Sequence, residues 1–254
     1  MAKQPRMKPA VLERGDIFFL YRPVVEEEEP RGLPDVQRFF VVLKPDRAQK
    51  LRLLVVGRKR LPDVERHERF WGFVDRVAGS ADDIEPQLRS FAYETKTRGK
   101  RHEPAVRPAG EGVYAITLLS GQMYLSYALE LPAHPSEVQQ AFRIASEASF
   151  VLSIKNPEAA TPPGLGLGEK EKPDYPERLH AEFRGRRFER EDVRLLDFPG
   201  AEFILIGAGR NAEEAYGAKV TARREVDALP DIFRELQLRK ERHPVRPLFE
   251  GKWA

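Results

Sequence analysis

The stretch GVYAITLLSGQMYLSYALEL, residues 112–131, carries the clearest structural signal in this chain. Two runs rich in apolar and aromatic residues flank Ser120-Gly121, a dipeptide of the kind that closes a two-residue β-hairpin. In the second run every other side chain is large and apolar, as a strand with one buried face requires. These side chains are Met123, Leu125, Tyr127 and Leu129. The stretch therefore predicts an antiparallel hairpin that turns one face toward a core.

Further strands are predicted on both sides of this hairpin. Each candidate is short, rich in Val, Ile, Leu or Phe, and bounded by residues that favour turns. The candidates are residues 16–22, 36–44, 51–57, 69–77, 149–155 and 201–206. The polar stretch 93–112 has no apolar period, and we interpret it as a long loop without regular structure.

Short helices are predicted where a capping residue precedes a 3.6-residue apolar period. Such starts occur at Ser80, Ser136, Pro176 and Pro230, and a further short helix is predicted over residues 211–216. With the strands, these helices predict an α+β protein. Its predominantly antiparallel β-rich core would hold a few short helices and precede a smaller C-terminal α/β segment.

The domain organisation is predicted from a Pro- and Gly-rich stretch. Residues 157–173 contain almost no large side chain, which is typical of a linker, and they separate a core domain at 12–156 from a segment at 174–254 that docks on it. The C-terminal tail carries Leu248, Phe249 and Trp253, so we expect it to pack against the rest of the protein.

Composition excludes several classes of protein. The 254 residues include no cysteine, which excludes disulfides, zinc–cysteine sites, iron–sulfur centres and cysteine nucleophiles. No apolar run approaches the roughly 20 residues that span a bilayer, and residues 1–12 lack the apolar run of a signal peptide. We therefore expect a cytoplasmic protein with no membrane partner. Abundant Arg and Glu with 21 prolines also suggest a thermophilic or GC-rich source.

Charge is nearly balanced overall, with 43 Lys and Arg against 40 Asp and Glu, but basic residues cluster locally. One candidate anion-binding cluster ends the third predicted strand, and a larger one occupies the predicted loop. These candidates are Arg58, Lys59, Arg60, Lys96, Arg98, Lys100, Arg101 and Arg107. Further basic residues include Arg69 and a group formed by Arg184, Arg186 and Arg187, while Phe70, Trp71 and Tyr93 could stack on bases. Interleaved acids favour the competing interpretation, a solvated ion-pair surface.

Signals for catalysis and for cofactors are weak. Residues 207–212 match a G-x-G-x-x-A dinucleotide fingerprint, but too little chain follows for the βαβ unit that this motif needs. Residues 164–170 lack the Lys-Ser/Thr ending of a phosphate-binding loop. We expect no cofactor and no metal. The best acid–base candidates are His102 and Glu103, on the predicted loop.

Three hypotheses on function follow. The leading one is a non-catalytic cytoplasmic binding or interaction protein for a polyanion, with single-stranded nucleic acid as one candidate partner. The second is an enzyme of unknown reaction that uses a carboxylate and histidine site near residues 95–107, since long loops are often functional. The third is a structural subunit of a homo-oligomer or protein complex.

Overall fold

Antiparallel strands dominate the regular secondary structure of this computed structural model, which describes residues 9–97, 99–161, 166–210 and 230–253. The strands are β1 (Ala10–Pro23), β2 (Val36–Pro45), β3 (Leu51–Val56), β4 (Arg69–Ala78), β5 (Phe91–Thr95), β6 (Gly99–Glu103), β7 (Arg107–Leu119), β8 (Gln122–Leu131), β9 (Glu147–Lys155), β10 (Phe188–Glu189) and β11 (Glu202–Gly209). The short helices of the described chain are α1 (Ala81–Ile84), α2 (Glu137–Phe142), α3 (Glu177–His180), α4 (Asp231–Glu235) and α5 (Arg246–Glu250). Among them, none has the length and apolar character needed to cross a membrane.

Eight of the strands close into a barrel. Their order around it is β9-β11-β4-β3-β2-β1-β7-β8, and β8 pairs in turn with β9. The closing seam runs from Met123 opposite Leu152 to Ala128 opposite Glu147. Closure leaves these strands without a free edge, which protects a β protein from edge-to-edge association.

The hairpin predicted at residues 112–131 is confirmed as β7 and β8. Tyr114 lies opposite Tyr127 and Ile116 opposite Leu125, and these side chains belong to the buried barrel core. Ser120 and Gly121 both have positive φ, 52° and 73°, as a type I′ turn requires. Two-residue alternation therefore sends one row of side chains inward on this hairpin.

Aromatic rings close one end of the barrel. Phe142, the last residue of α2, stacks on Phe39 with ring centroids 4.9 Å apart. Tyr21 and Trp253 also contact Phe142, at 5.0 and 5.5 Å between centroids. The helix predicted to begin after Ser136 and the predicted packing of the C-terminal tail are both confirmed here.

A buried ionic network lies at the other end. Arg52 lies on the same inward face of β3 as Leu54 and Val56. Its fully buried guanidinium donates to Glu13 at 2.9 Å and to Asp197 at 2.7 Å. The Tyr114 hydroxyl donates to Glu13 at 2.7 Å. Each charge in this network is paired, as a charge removed from water must be.

The outer face of β1, β2 and β3 is covered by other parts of the chain. Phe18, Leu20, Phe40 and Val42 pack there in a second apolar cluster. Other members of the cluster come from β3, from α1 and from the C-terminal segment, and include Leu53, Ile84, Ile232, Leu236 and Leu248. The apolar runs on β1 and β2 therefore have both faces buried.

Two expectations need correction. The predicted antiparallel, β-rich character with a few short helices is confirmed, but the described part of the chain is not a clear α+β mixture. One of the barrel strands, β11, comes from the predicted C-terminal segment. Residues 93–112 are not a loop, because β5, β6 and the start of β7 occupy most of them. Most side chains of β5 and β6 are exposed, so no apolar period marked these strands.

Other predicted features lie partly outside the described residues. The helix predicted at 211–216 falls wholly outside, as do residues 162–165 of the predicted linker and the last two positions of the glycine fingerprint. The two fingerprint glycines that are described, Gly207 and Gly209, belong to β11.

His243 links the stability of the fold to pH. Its side chain is buried, and Nδ1 donates to the Val106 carbonyl at 2.9 Å. Burial lowers the pKa of His243, and the charges of Arg22 and Arg242 add to this, while the Val106 hydrogen bond and the charge of Glu85 oppose it. A histidine of the unfolded chain has a pKa of about 6.5, so the unfolded chain binds the proton more readily than the folded protein does. The contribution of neutral His243 is therefore complete above that pH and is lost as pH falls through the lower folded-state pKa.

We expect His243→Asn to reduce the loss of stability between about pH 7 and pH 5, because asparagine keeps a donor for Val106 and does not titrate. Urea unfolding midpoints across this range measure the effect. His134→Asn, at an exposed histidine, is the matched control and should follow the wild-type curve. An unchanged pH dependence in His243→Asn would contradict the assignment.

Candidate functional site

A groove lies on the outer face of β4, β11, β9 and β8. Its floor follows from the strand register, which places Ile206 between Arg69 and Val151, and Ile204 between Trp71 and Ser153. These residues point outward because they alternate with the inward row that contains Phe70, Phe203 and Leu205. The floor of the groove is therefore mainly aliphatic, with a volume of about 390 Å³ above it.

Two aromatic rings form a wall of the groove. Phe188, on the short strand β10, has its ring centroid 6.0 Å from that of Trp71. The Arg187 guanidinium lies 5.5 Å from the Phe188 centroid, a cation–π contact. Asn156 fixes this segment, because its backbone N–H donates to the Arg187 carbonyl at 2.9 Å. The rings are thus held in place on a paired strand.

The groove is surrounded by three arginines, Arg69, Arg187 and Arg190. Together with Trp71 and Phe188 they form a site that we name the arginine groove. All three arginine side chains are exposed. Within the described part of the chain, Arg69 and Arg190 form no ion pair, whereas the neighbouring Arg186 is paired with Glu189. The described side chains that line the groove include no carboxylate, so its lining carries positive charge.

A buried ion pair supports the floor. Lys155 Nζ donates to Glu202 Oε2 at 2.9 Å, and neither side chain is more than 6% exposed. The Leu167 N–H donates to the other oxygen of Glu202 at 3.1 Å. Because Lys155 lies opposite Phe188 in the β9–β10 register, this pair lies beside the aromatic wall.

Such a site can hold a planar ring and an anionic group together. Aromatic faces and an aliphatic floor favour stacking of a ring, and guanidinium groups bind phosphate or carboxylate through two parallel hydrogen bonds. The rigid backbone of the barrel positions both parts.

The first predicted basic cluster divides between different roles. Arg58 is exposed after β3. Lys59 donates to the Val36 carbonyl, and Arg60 pairs with Glu68 at 3.2 Å while its guanidinium lies 5.1 Å from the Phe70 ring. Within the described chain, Lys59 and Arg60 are thus engaged with groups of the protein itself, and anion binding by this cluster stays a prediction.

The second predicted cluster is spread over the β5–β6 hairpin and β7. Lys96 and Lys100 are exposed, Arg101 lies 3.6 Å from Glu26, and Arg107 is buried and lies 3.9 Å from Glu28. Arg98 lies outside the described residues. The structure does not gather these residues into one pocket, and anion binding by them also stays a prediction.

The two acid–base candidates are separated by the strand that carries them. Adjacent residues of a strand point to opposite faces, and His102 Nδ1 contacts Glu28 at 2.9 Å while Glu103 pairs with Arg22 at 3.3 Å. Each therefore has a partner of its own. Acid–base chemistry at these residues remains an untested hypothesis.

The arginine groove brings together residues that lie far apart in the sequence. Arg69, Trp71 and Arg187 were already candidates for anion binding or base stacking, and the fold brings them to one surface. The sequence does not single out Phe188 and Arg190, because a strand of two residues is too short to show an alternating apolar pattern. Comparison with protein-family models, curated proteins and solved structures found no match for this chain.

Proposed function

We propose that this chain is a binding protein for single-stranded nucleic acid and that the arginine groove is its binding site. Bases stack against Trp71 and Phe188, and phosphates bind Arg69, Arg187 and Arg190. One observation carries the proposal: guanidinium groups from β4 and from the β10 segment meet around an aromatic pair on an apolar floor, with no carboxylate among the described lining residues.

The form of the groove favours a single strand over a duplex. Stacking on a side chain requires a base face that is not already covered by its neighbours in a helix, and single strands supply such faces. Duplex binding instead relies on an extended, strongly basic surface, whereas this chain has a net charge of only +3. The cytoplasmic location and the non-catalytic role expected from the sequence are retained as parts of the proposal.

The test is Trp71→Ala, measured by fluorescence anisotropy with a labelled oligothymidylate of about 12 nucleotides, within the usual site sizes for single-strand binding. Loss of one stacking contact costs about 1–3 kcal/mol, so we expect affinity to fall by roughly 5- to 150-fold. Wild-type affinity should also decrease with salt, with a log–log slope of about −2, because three arginines each contribute about −0.7 on a single strand.

Phe249→Ala serves as the control, because it removes an exposed aromatic ring from α5, outside the groove. It should bind like the wild type. Absence of wild-type binding at about 50 mM salt, where counterion release helps most, would overturn the proposal. Equal affinity for thymidine monophosphate and the oligonucleotide would also overturn it and reassign the groove to a small nucleotide.

A further inference from the structure

The β5–β6 hairpin exposes two neighbouring aromatic rings. Phe91 is 42% exposed and Tyr93 is 38% exposed, and their ring centroids lie 5.9 Å apart. Both residues lie on the same face of β5, since they are two positions apart. Exposed aromatic pairs of this kind lose contact with water when a planar partner stacks on them.

Paired charges lie beside these rings, since Arg22 is 3.3 Å from Glu103 and Arg101 is 3.6 Å from Glu26. Tyr93 lies opposite Arg101, and the Arg22 guanidinium is 5.8 Å from the Phe91 centroid. At the turn and on the opposite face, Lys96 and Lys100 are exposed and form no ion pair within the described chain. The hairpin therefore combines stacking faces with cations, which suits a polyanion that carries bases.

The hairpin is held firmly at its base. Glu26 N–H donates to the His102 carbonyl at 2.9 Å, and the buried Arg22 pairs with Glu103 and donates to the Pro104 carbonyl at 2.8 Å. A rigid support lowers the conformational entropy lost when a ligand binds.

The hairpin and the arginine groove border the same strand. A cavity of about 220 Å³ beside Phe91 is also lined by Arg38 and by Asp75 of β4. Asp75 lies four residues beyond Trp71 on that strand, which corresponds to about 13 Å at a rise of roughly 3.3 Å per residue. A single strand that leaves the groove along β4 therefore passes close to the hairpin.

We infer that the β5–β6 hairpin is a second contact for the same single strand, with Phe91 and Tyr93 stacking on bases and Lys96 binding a phosphate. This inference rests on the proposed function. It assigns the hairpin to long ligands, because a short oligonucleotide fills the groove before it reaches the hairpin.

The test compares oligothymidylates of about 3 and about 20 nucleotides, below and above the span of a typical single-strand site. We expect the double variant Phe91→Ala/Tyr93→Ala to bind the short oligonucleotide like the wild type and the long one at least roughly 30-fold more weakly, given about 1–3 kcal/mol for each of two stacked bases. Lys96→Glu, at an exposed turn, should weaken only the long oligonucleotide. Val11→Ala, at another exposed apolar residue, is the control and should change neither.

The outcomes separate the two proposals. If both hairpin variants bind the long oligonucleotide like the wild type while Trp71→Ala binds it weakly, the hairpin inference is overturned and the groove stands. If the wild type binds neither oligonucleotide, the proposed function fails and the inference fails with it. An unchanged urea midpoint in the hairpin variants shows that a loss of binding is not a loss of folding.

Discussion

Glu202→Ala is expected to destabilise the protein by about 3–5 kcal/mol, because it leaves the buried Lys155 ammonium without a counter-charge. The Lys155 side chain is fully buried and Glu202 Oε2 accepts its hydrogen bond at 2.9 Å. Removing one partner of such a pair costs far more than the pair itself contributes. Urea unfolding followed by circular dichroism measures the change.

The double variant Lys155→Met/Glu202→Leu distinguishes an unpaired charge from lost packing. Replacing both charges with apolar side chains of similar size is often neutral or stabilising by about 1–4 kcal/mol. Here the Leu167 N–H loses its acceptor, which costs about 1 kcal/mol, so we expect stability near that of the wild type. A loss below about 1 kcal/mol in Glu202→Ala would show that water reaches Lys155.

The double variant also tests whether the ion pair is needed for binding at the arginine groove. Lys155 lies opposite Phe188, so the ion pair helps to fix the aromatic wall. Since the double variant keeps this position packed, it should retain the wild-type affinity for single strands when measured where it is fully folded.

Phe142→Ala is expected to destabilise the fold by about 3–5 kcal/mol, the usual range for truncating a buried phenylalanine. The ring is fully buried and contacts Phe39, Tyr21 and Trp253. Its removal leaves a cavity at the closed end of the barrel that three aromatic rings cannot fill. The free energy of unfolding in urea is the measurement.

Phe142→Leu tests whether the loss follows the volume removed. Leucine keeps most of the apolar bulk, so we expect a clearly smaller loss than for alanine. Equal losses in the two variants would mean that ring stacking, rather than filled volume, holds α2 on the barrel.

Local patterns predicted the strands better than their arrangement. The 112–131 hairpin, the helix after Ser136 and the strand at 149–155 follow from turn chemistry, capping and apolar runs, which neighbouring residues determine. The pairing of β8 with β9 and the insertion of β11 between β4 and β9 depend on contacts between distant parts of the chain. No local pattern encodes these contacts.

The candidate site was predictable only in parts. Arg69, Trp71 and Arg187 have suggestive side chains in the sequence, but their convergence depends on the closed barrel and on the pairing of β10 with β9. The opposite error occurred at residues 93–112, where an amphipathic period is missing because the β5–β6 hairpin stands on the surface. An apolar period in the sequence marks a strand with a buried face, and the side chains of this hairpin are little buried.

The position of β11 in the barrel has a consequence for synthesis. Ile204 pairs with Trp71 on one side and with Ser153 on the other, so the barrel stays open until residues 202–209 have left the ribosome. Contacts so distant in sequence form slowly, since a long loop must close before any is made. Until then β4 and β9 lack the strand that lies between them, and the arginine groove lacks Ile204 and Ile206 of its floor.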